Sequence, residues 1–311
     1  MKILVTGSCG YKGTVLVPRL LASGHSVIAY DVMWFGNFLK PHPMLTVLSQ
    51  DIRDKDFSLD GVECVIHLAS VANDPCADLS PTLTWEISCL ATQQLMDKAA
   101  RSGVETFIYA SSGSVYGVKS ENNVVEDLPL DPISVYNKTK MVAERVLLSY
   151  ASKMRVVIVR PATVCGFSPR MRFDVAVNLL TIQALENQKI TVFGGNQVRP
   201  NIHIEDIVSV YEFFLNQNSV SGIFNAGFEN ISILEIAEKV QNEVPCEIII
   251  TPSNDPRSYR MDSSKLLDLG FQQKHSVSDA IIEIKTLFEA GKICNKAEFN
   301  NLTWMKENVA V

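Results

Sequence analysis

Six short apolar runs separated by amphipathic stretches fill the first half of the chain, at residues 2–6, 26–31, 45–49, 64–68, 106–111 and 155–159. No other feature constrains the fold as much. Runs this apolar are covered on both faces, and helical stretches between them imply crossovers joining parallel strands. Apolar spacing of three and four residues predicts the crossover helices at 10–22, 82–102 and 135–152. The expected class is α/β, with a doubly wound parallel sheet.

The first strand runs directly into Gly7-Ser8-Cys9-Gly10-Tyr11-Lys12-Gly13, which opens the first helix. Glycines there allow a tight turn and let backbone N–H groups approach a pyrophosphate at the positive helix end, the arrangement of a Rossmann-type dinucleotide site. Asp31 closes the second strand, where an acid receives the adenosine ribose hydroxyls. Asp51 and Ile52 follow the third strand and are expected around the adenine. Leu68, Ala69 and Ser70 end the fourth at the same sheet edge. His67 is read as a packed strand-end histidine.

The fifth strand ends in Ser111-Ser112-Gly113-Ser114-Val115-Tyr116-Gly117, placing hydroxyls at the crevice of a doubly wound sheet. Downstream, Tyr136 and Lys140 lie four residues apart on one helix face. A phenol is a poor base at neutral pH unless a cation stabilises its phenolate, a task for Lys140. With Ser112 orienting a secondary alcohol, the set suits removal of its proton while hydride leaves the carbon for NAD.

These residues, continued by Arg160-Pro161-Ala162-Thr163-Val164-Cys165-Gly166, by Arg199-Pro200-Asn201-Ile202-His203-Ile204-Glu205-Asp206 and by Phe224-Asn225-Ala226-Gly227, resemble the extended short-chain dehydrogenase/reductase superfamily, and within it the sugar-nucleotide epimerase/dehydratase group. The resemblance implies a catalytic triad of Ser112, Tyr136 and Lys140, with Pro161, Thr163 and Val164 beside the nicotinamide carboxamide. It implies a nucleoside-diphosphate sugar as substrate, with Ser112 and Ser114 near the sugar and Arg199 on its pyrophosphate. It also implies a homodimer.

Ser168-Pro169-Arg170-Met171-Arg172-Phe173-Asp174 and the Arg257-Ser258-Tyr259 region look like segments of GDP-heptose 4-dehydrogenase-like enzymes. Arg170, Arg172 and Arg257 are therefore further candidates for the sugar or its phosphates, a task suited to bidentate guanidinium groups. The chain also departs from the family pattern. Lys12 replaces an apolar residue, Ser88 stands where asparagine is common, and Pro200 replaces an aspartate. Gly113-Ser114 occupies the place of the Asp-Glu pair with which 4,6-dehydratases eliminate water, so dehydration is not expected.

The expected division is an NAD-binding domain over 1–165, to which 199–226 returns, a smaller α+β substrate domain over 166–198 and 227–294, and a polar tail over 295–311. A net charge of −6 provides no field for a polyanion, which excludes nucleic-acid binding as the main role. Seven scattered cysteines without a CxxC spacing indicate neither zinc nor a disulfide framework. The first apolar run breaks at Thr6-Gly7, too soon for a signal-peptide core, and no run reaches membrane-spanning length; a cytoplasmic enzyme is expected. The function expected is a 4-epimerase working through a 4-keto sugar. The same residues also serve a net 4-dehydrogenase or a 4-keto reductase, and a non-catalytic dinucleotide sensor would keep the glycine loop without needing the triad.

Overall fold

The structure, a computed structural model, describes residues 1–54, 56–253 and 258–309. Strands β1 (Lys2–Thr6), β2 (Ser26–Asp31), β3 (Leu45–Ser49), β4 (Cys64–His67), β5 (Thr106–Ala110) and β6 (Arg155–Pro161) appear where the apolar runs place them. Six further strands follow: β7 (Thr163–Cys165), β8 (Lys189–Phe193), β9 (Val198–His203), β10 (Gly222–Ala226), β11 (Glu229–Ser232) and β12 (Glu247–Thr251). The central sheet has seven strands in the order β10-β6-β5-β4-β1-β2-β3, all parallel. The chain winds outward from β1 to β3, then restarts at β4 on the other side. This reversal opens a crevice beyond the carboxyl ends of β1 and β4.

One sheet face is covered by helices Gly13–Ala22 and Ile204–Asn216, whose Leu16, Leu20, Ile207 and Tyr211 join Val5 and Val157 in a dry core. Ala91–Arg101 and Val135–Leu148 cover the other with Leu95, Met96 and Leu147. A third apolar cluster lies away from the sheet, where helices Ala176–Asn187, Ile233–Glu243 and Val277–Glu289 pack beside β8. The segment from β9 passes through helix Ile204–Asn216 and enters the central sheet as β10, beside β6.

Two expectations change. The single helix at 82–102 is three pieces, Pro81–Trp85, a π-helical turn Glu86–Leu90 and Ala91–Arg101. The wide turn carries Ser88, whose buried hydroxyl accepts the Val71 N–H at 3.2 Å and meets the Ser70 hydroxyl at 3.0 Å. It thereby pins the loop that leaves β4, at the position where asparagine is common. The tail at 295–311 is structured through residue 309: a turn Ala297–Phe299 and a helix Asn301–Asn308 pack back on the sheet domain. Its apolar side is too narrow to read as periodicity, but Phe299 and Met305 are buried and Trp304 lies against Phe35 with ring centroids 4.8 Å apart. Among the described residues, no helix is long and apolar enough to cross a membrane, and no group of His, Cys, Asp and Glu could hold a metal ion.

Candidate active site

At the crevice the chain leaves β1 through Gly7, whose φ of +69° suits glycine. A Cβ there would lie 2.6 Å from the Ala69 nitrogen, and one on Gly13 would lie 2.4 Å from the Ser8 carbonyl oxygen. The glycines thus bring β1, β4 and the first helix to backbone contact. No side chain caps that helix at Lys12, so its N-terminal turn faces the cavity without a built-in anion. Asp31 ends β2 with its carboxylate accepting the N–H of Cys9 at 2.9 Å and of Met33 at 2.7 Å. Burial pushes its carboxyl up, and these two N–H groups and the charge of Arg170 oppose the rise.

Asp51 is more committed than its sequence position suggests. Burial disfavours its charge, but the Arg53 side chain and N–H outweigh this and hold the carboxyl below its usual range. Ile52, Leu68, Ala69 and Ser70 line the same wall. His67 is fully buried between the Thr6 and Thr92 hydroxyls, and burial, helped by Lys140, pushes it down to about 3. It is a neutral structural imidazole.

At the other end, Ser112 follows β5 and accepts the Ser114 N–H at 3.2 Å, its hydroxyl 2.7 Å from that of Ser114, which donates to Asn137. Tyr136 and Lys140 open helix Val135–Leu148, which Ser134 caps by accepting the Asn137 N–H at 3.1 Å. The Lys140 Nζ donates to the Ala110 carbonyl at 2.8 Å and lies 5.9 Å from the Tyr136 ring centroid. Burial, then the charge of Lys12, lowers Lys140 to about 7; burial, then Arg172, lowers Lys12 to about 8. The Tyr136 phenol is pushed up to about 12 by burial and by Asp74, against a hydrogen bond from Ser112 and the charge of Arg172. Cationic side chains thus crowd a site whose ionisable phenol sits among them.

Tyr11, Lys12, Ser114, Pro161, Thr163 and Val164 join the glycine loop and the triad around one cavity of about 680 Å³. Asp31 and Arg199, on β9, both line it. Arg172 is tied to Asp174 at 2.8 and 3.0 Å, and Arg170 lies against Phe35 on the loop after β2. Arg257 lies outside the described residues. Sequence reasoning did not find Trp34, Phe35, Tyr259 or the Asn300-Asn301-Leu302 stretch, all of which line the cavity. The aromatic residues at 34, 35, 38, 299 and 304 were the available signal.

A sequence model of the NAD dependent epimerase/dehydratase family matches residues 3–227. The chain belongs to this family. A UDP-glucose 4-epimerase of Lactobacillus helveticus is 26% identical over 314 residues, covering 91% of this chain and 95% of the relative. The solved structure of MoeE5 in complex with UDP-glucose and NAD superposes with a TM-score of 0.82 at 26% identity, covering 93% of this chain and 99% of that one. A UDP-glucuronic acid 4-epimerase from Bacillus cereus, solved with UDP-glucuronic acid and NAD, gives 0.81 at 28% identity, covering 92% and 100%.

NAD is the cofactor of this family member, and the residues present fit it. The glycine cradle has no room for a Cβ at Gly7 or Gly13, the first helix lacks a side-chain cap, and Asp31 lines the same cavity, its carboxylate accepting the Cys9 N–H of the glycine loop. A carboxylate at this position is expected to disfavour NADP. At about 4 Å and an effective dielectric of about 20, it repels each unit of charge on a 2′-phosphate by about 4 kcal/mol. Solvent and Arg170 reduce this to about 1.5–3 kcal/mol, so calorimetry should show NAD binding at least about tenfold tighter than NADP. Equal affinities would remove Asp31 from the cofactor site.

Proposed function

We propose that this chain is an NAD-dependent epimerase of a nucleoside-diphosphate sugar, acting at C4 through a 4-keto intermediate. The observation that carries this is a single cavity holding the glycine loop and Asp31 together with Ser112, Tyr136 and Lys140. Ser112 orients the C4 hydroxyl and Tyr136 removes its proton; the Ser112 hydrogen bond and the charge of Arg172 favour the phenolate, and Lys140, its Nζ 5.9 Å from the Tyr136 ring centroid, supports it when protonated. When bound, NAD supplies an acceptor for the C4 hydride and can return it. Tyr136 then gives the proton back to the new C4 oxygen, and rotation of the keto sugar between the two steps inverts the centre. Arg199, which lines the same cavity, would hold the sugar pyrophosphate.

Dehydration is disfavoured by composition, since neither Gly113 nor Ser114 supplies a carboxyl. The Ser114 hydroxyl is a very weak acid. The test is incubation of the protein and NAD with UDP-sugars, then GDP-, CDP- and dTDP-sugars, following NADH absorbance and product mass together. A product of unchanged mass with inverted C4 is expected. Stoichiometric NADH would make the enzyme a net 4-dehydrogenase, whose reverse is a 4-keto reductase, and loss of one water would overturn the assignment.

A cytoplasmic homodimer is part of the same reading. Trp85 and Leu90, 38% and 49% exposed, border a groove of about 580 Å³ between the helices of the 81–101 stretch and Val135–Leu148. Pairing with a second copy would cover them. Light scattering is expected to give twice the chain mass of 34.4 kDa, and a monomer at low concentration would contradict the pairing.

A further inference from the structure

Arg170 has a guanidinium without the partners a buried charge needs. It is 1% exposed, forms no ion pair among the described residues, and its Nε has no hydrogen-bond partner. Its firmest bond runs from one terminal nitrogen to the Asn301 side-chain oxygen at the start of the C-terminal helix; the other nitrogen reaches only the Met171 carbonyl at 3.5 Å. The charges of Asp174 and Asp31 act on it, but burial and Arg172 outweigh them and lower it to about 9, so a further partner would stabilise it. Arg170 lines the large cavity, so a ligand can meet it there.

The end of the cavity is fixed by its neighbours. The guanidinium carbon stacks 3.8 Å from the Phe35 ring centroid, on the loop that leaves Asp31, and its charge acts on the Asp31 carboxyl. Phe35 and Asp31 mark this as the side of the cavity formed by the loop after β2. We infer that Arg170, held by Asn301, is a cofactor-binding residue that completes the adenosine subsite of NAD, and that the C-terminal helix is part of that subsite. The chemistry is complementary: a ribose hydroxyl donates to Asp31 and accepts from the Arg170 Nε–H. The helix is locked in place by Trp304 against Phe35 and by the Asn301 N–H on Asp174 at 3.2 Å. The helix lies beyond residue 227, where the family match ends.

This rests on the proposed use of NAD, and the test separates the two. Calorimetry on the full chain, freed of nucleotide, would compare NAD, ADP-ribose and UDP in wild type, Arg170→Met and Asn301→Ala. ADP-ribose carries the adenosine half without nicotinamide. Arg170→Met is expected to weaken NAD and ADP-ribose together by about 10–100-fold, Asn301→Ala by about 3–10-fold, with UDP unchanged. If Arg170→Met does not fold, Asn301→Ala decides. Unchanged ADP-ribose affinity, or a loss confined to UDP, overturns the inference and leaves the cofactor reading intact; wild type that binds neither NAD nor ADP-ribose overturns both.

Discussion

Replacing Tyr136 with phenylalanine is expected to lower turnover by about 10²–10⁴-fold, the scale of a positioned acid–base group, with NAD affinity and thermal stability close to wild type. His67, buried on β4 as a neutral imidazole, cannot take this part, and the Tyr136 phenol shares a hydrogen bond with Ser112. In the ligand-free cavity burial pushes Tyr136 up to about 12, so very little phenolate exists at pH 7. The rate should therefore rise with pH as the deprotonated fraction of the phenol increases, by less than tenfold per pH unit where Lys140, lowered to about 7, and Lys12, lowered to about 8, lose their charge. Phenylalanine removes the hydroxyl and with it that pH dependence. A Tyr136→Phe enzyme with near-normal turnover, or with the wild-type pH profile, would take the residue out of the chemistry.

The parts of this site that were legible in the sequence are those set by local rules. A glycine loop must follow a strand and precede a helix, and a tyrosine and lysine four apart must share a helix face; both follow from backbone geometry over fewer than ten residues. The bounds of β1, β2 and β3 were legible for the same reason, since each is a short apolar run stopped by a turn. The π-helical turn was not, because its contact between Ser88 and Val71 joins residues 17 apart, beyond what local periodicity reports. The C-terminal helix was hidden for a related reason. Its burial depends on Trp34 and Phe35, which are close to Trp304 only after folding, and no periodicity in 295–311 reports that. Arg170 shows the limit most clearly, since its segment suggested a sugar contact and only the fold sets it beside Phe35 and Asp31.

Beneath the triad lies an ion pair whose disruption should give the largest stability loss in the molecule. Arg160 on β6 meets Glu144 on the catalytic helix through two bonds, at 3.0 and 2.7 Å, and both side chains are 2% exposed or less. Ser111, next to Ser112, donates to the same carboxylate, and the Tyr116 hydroxyl and Glu126 carbonyl accept from the other arginine nitrogen at 2.8 and 3.1 Å. The network joins the strand before Pro161, the helix bearing Tyr136 and Lys140, and the loop bearing Ser112. Glu144→Gln keeps the shape but strands a buried cation, which costs about 3–5 kcal/mol, a large share of the roughly 5–15 kcal/mol that holds a typical protein folded. Urea unfolding of the nucleotide-free protein should show that loss. The double variant Glu144→Leu/Arg160→Met should recover most of it, because no charge then remains in the core, yet its turnover should stay low once Ser112 and Tyr136 lose their common anchor. If Glu144→Gln unfolds within about 1 kcal/mol of wild type, water reaches the pair and the anchor is not what sets the triad's geometry.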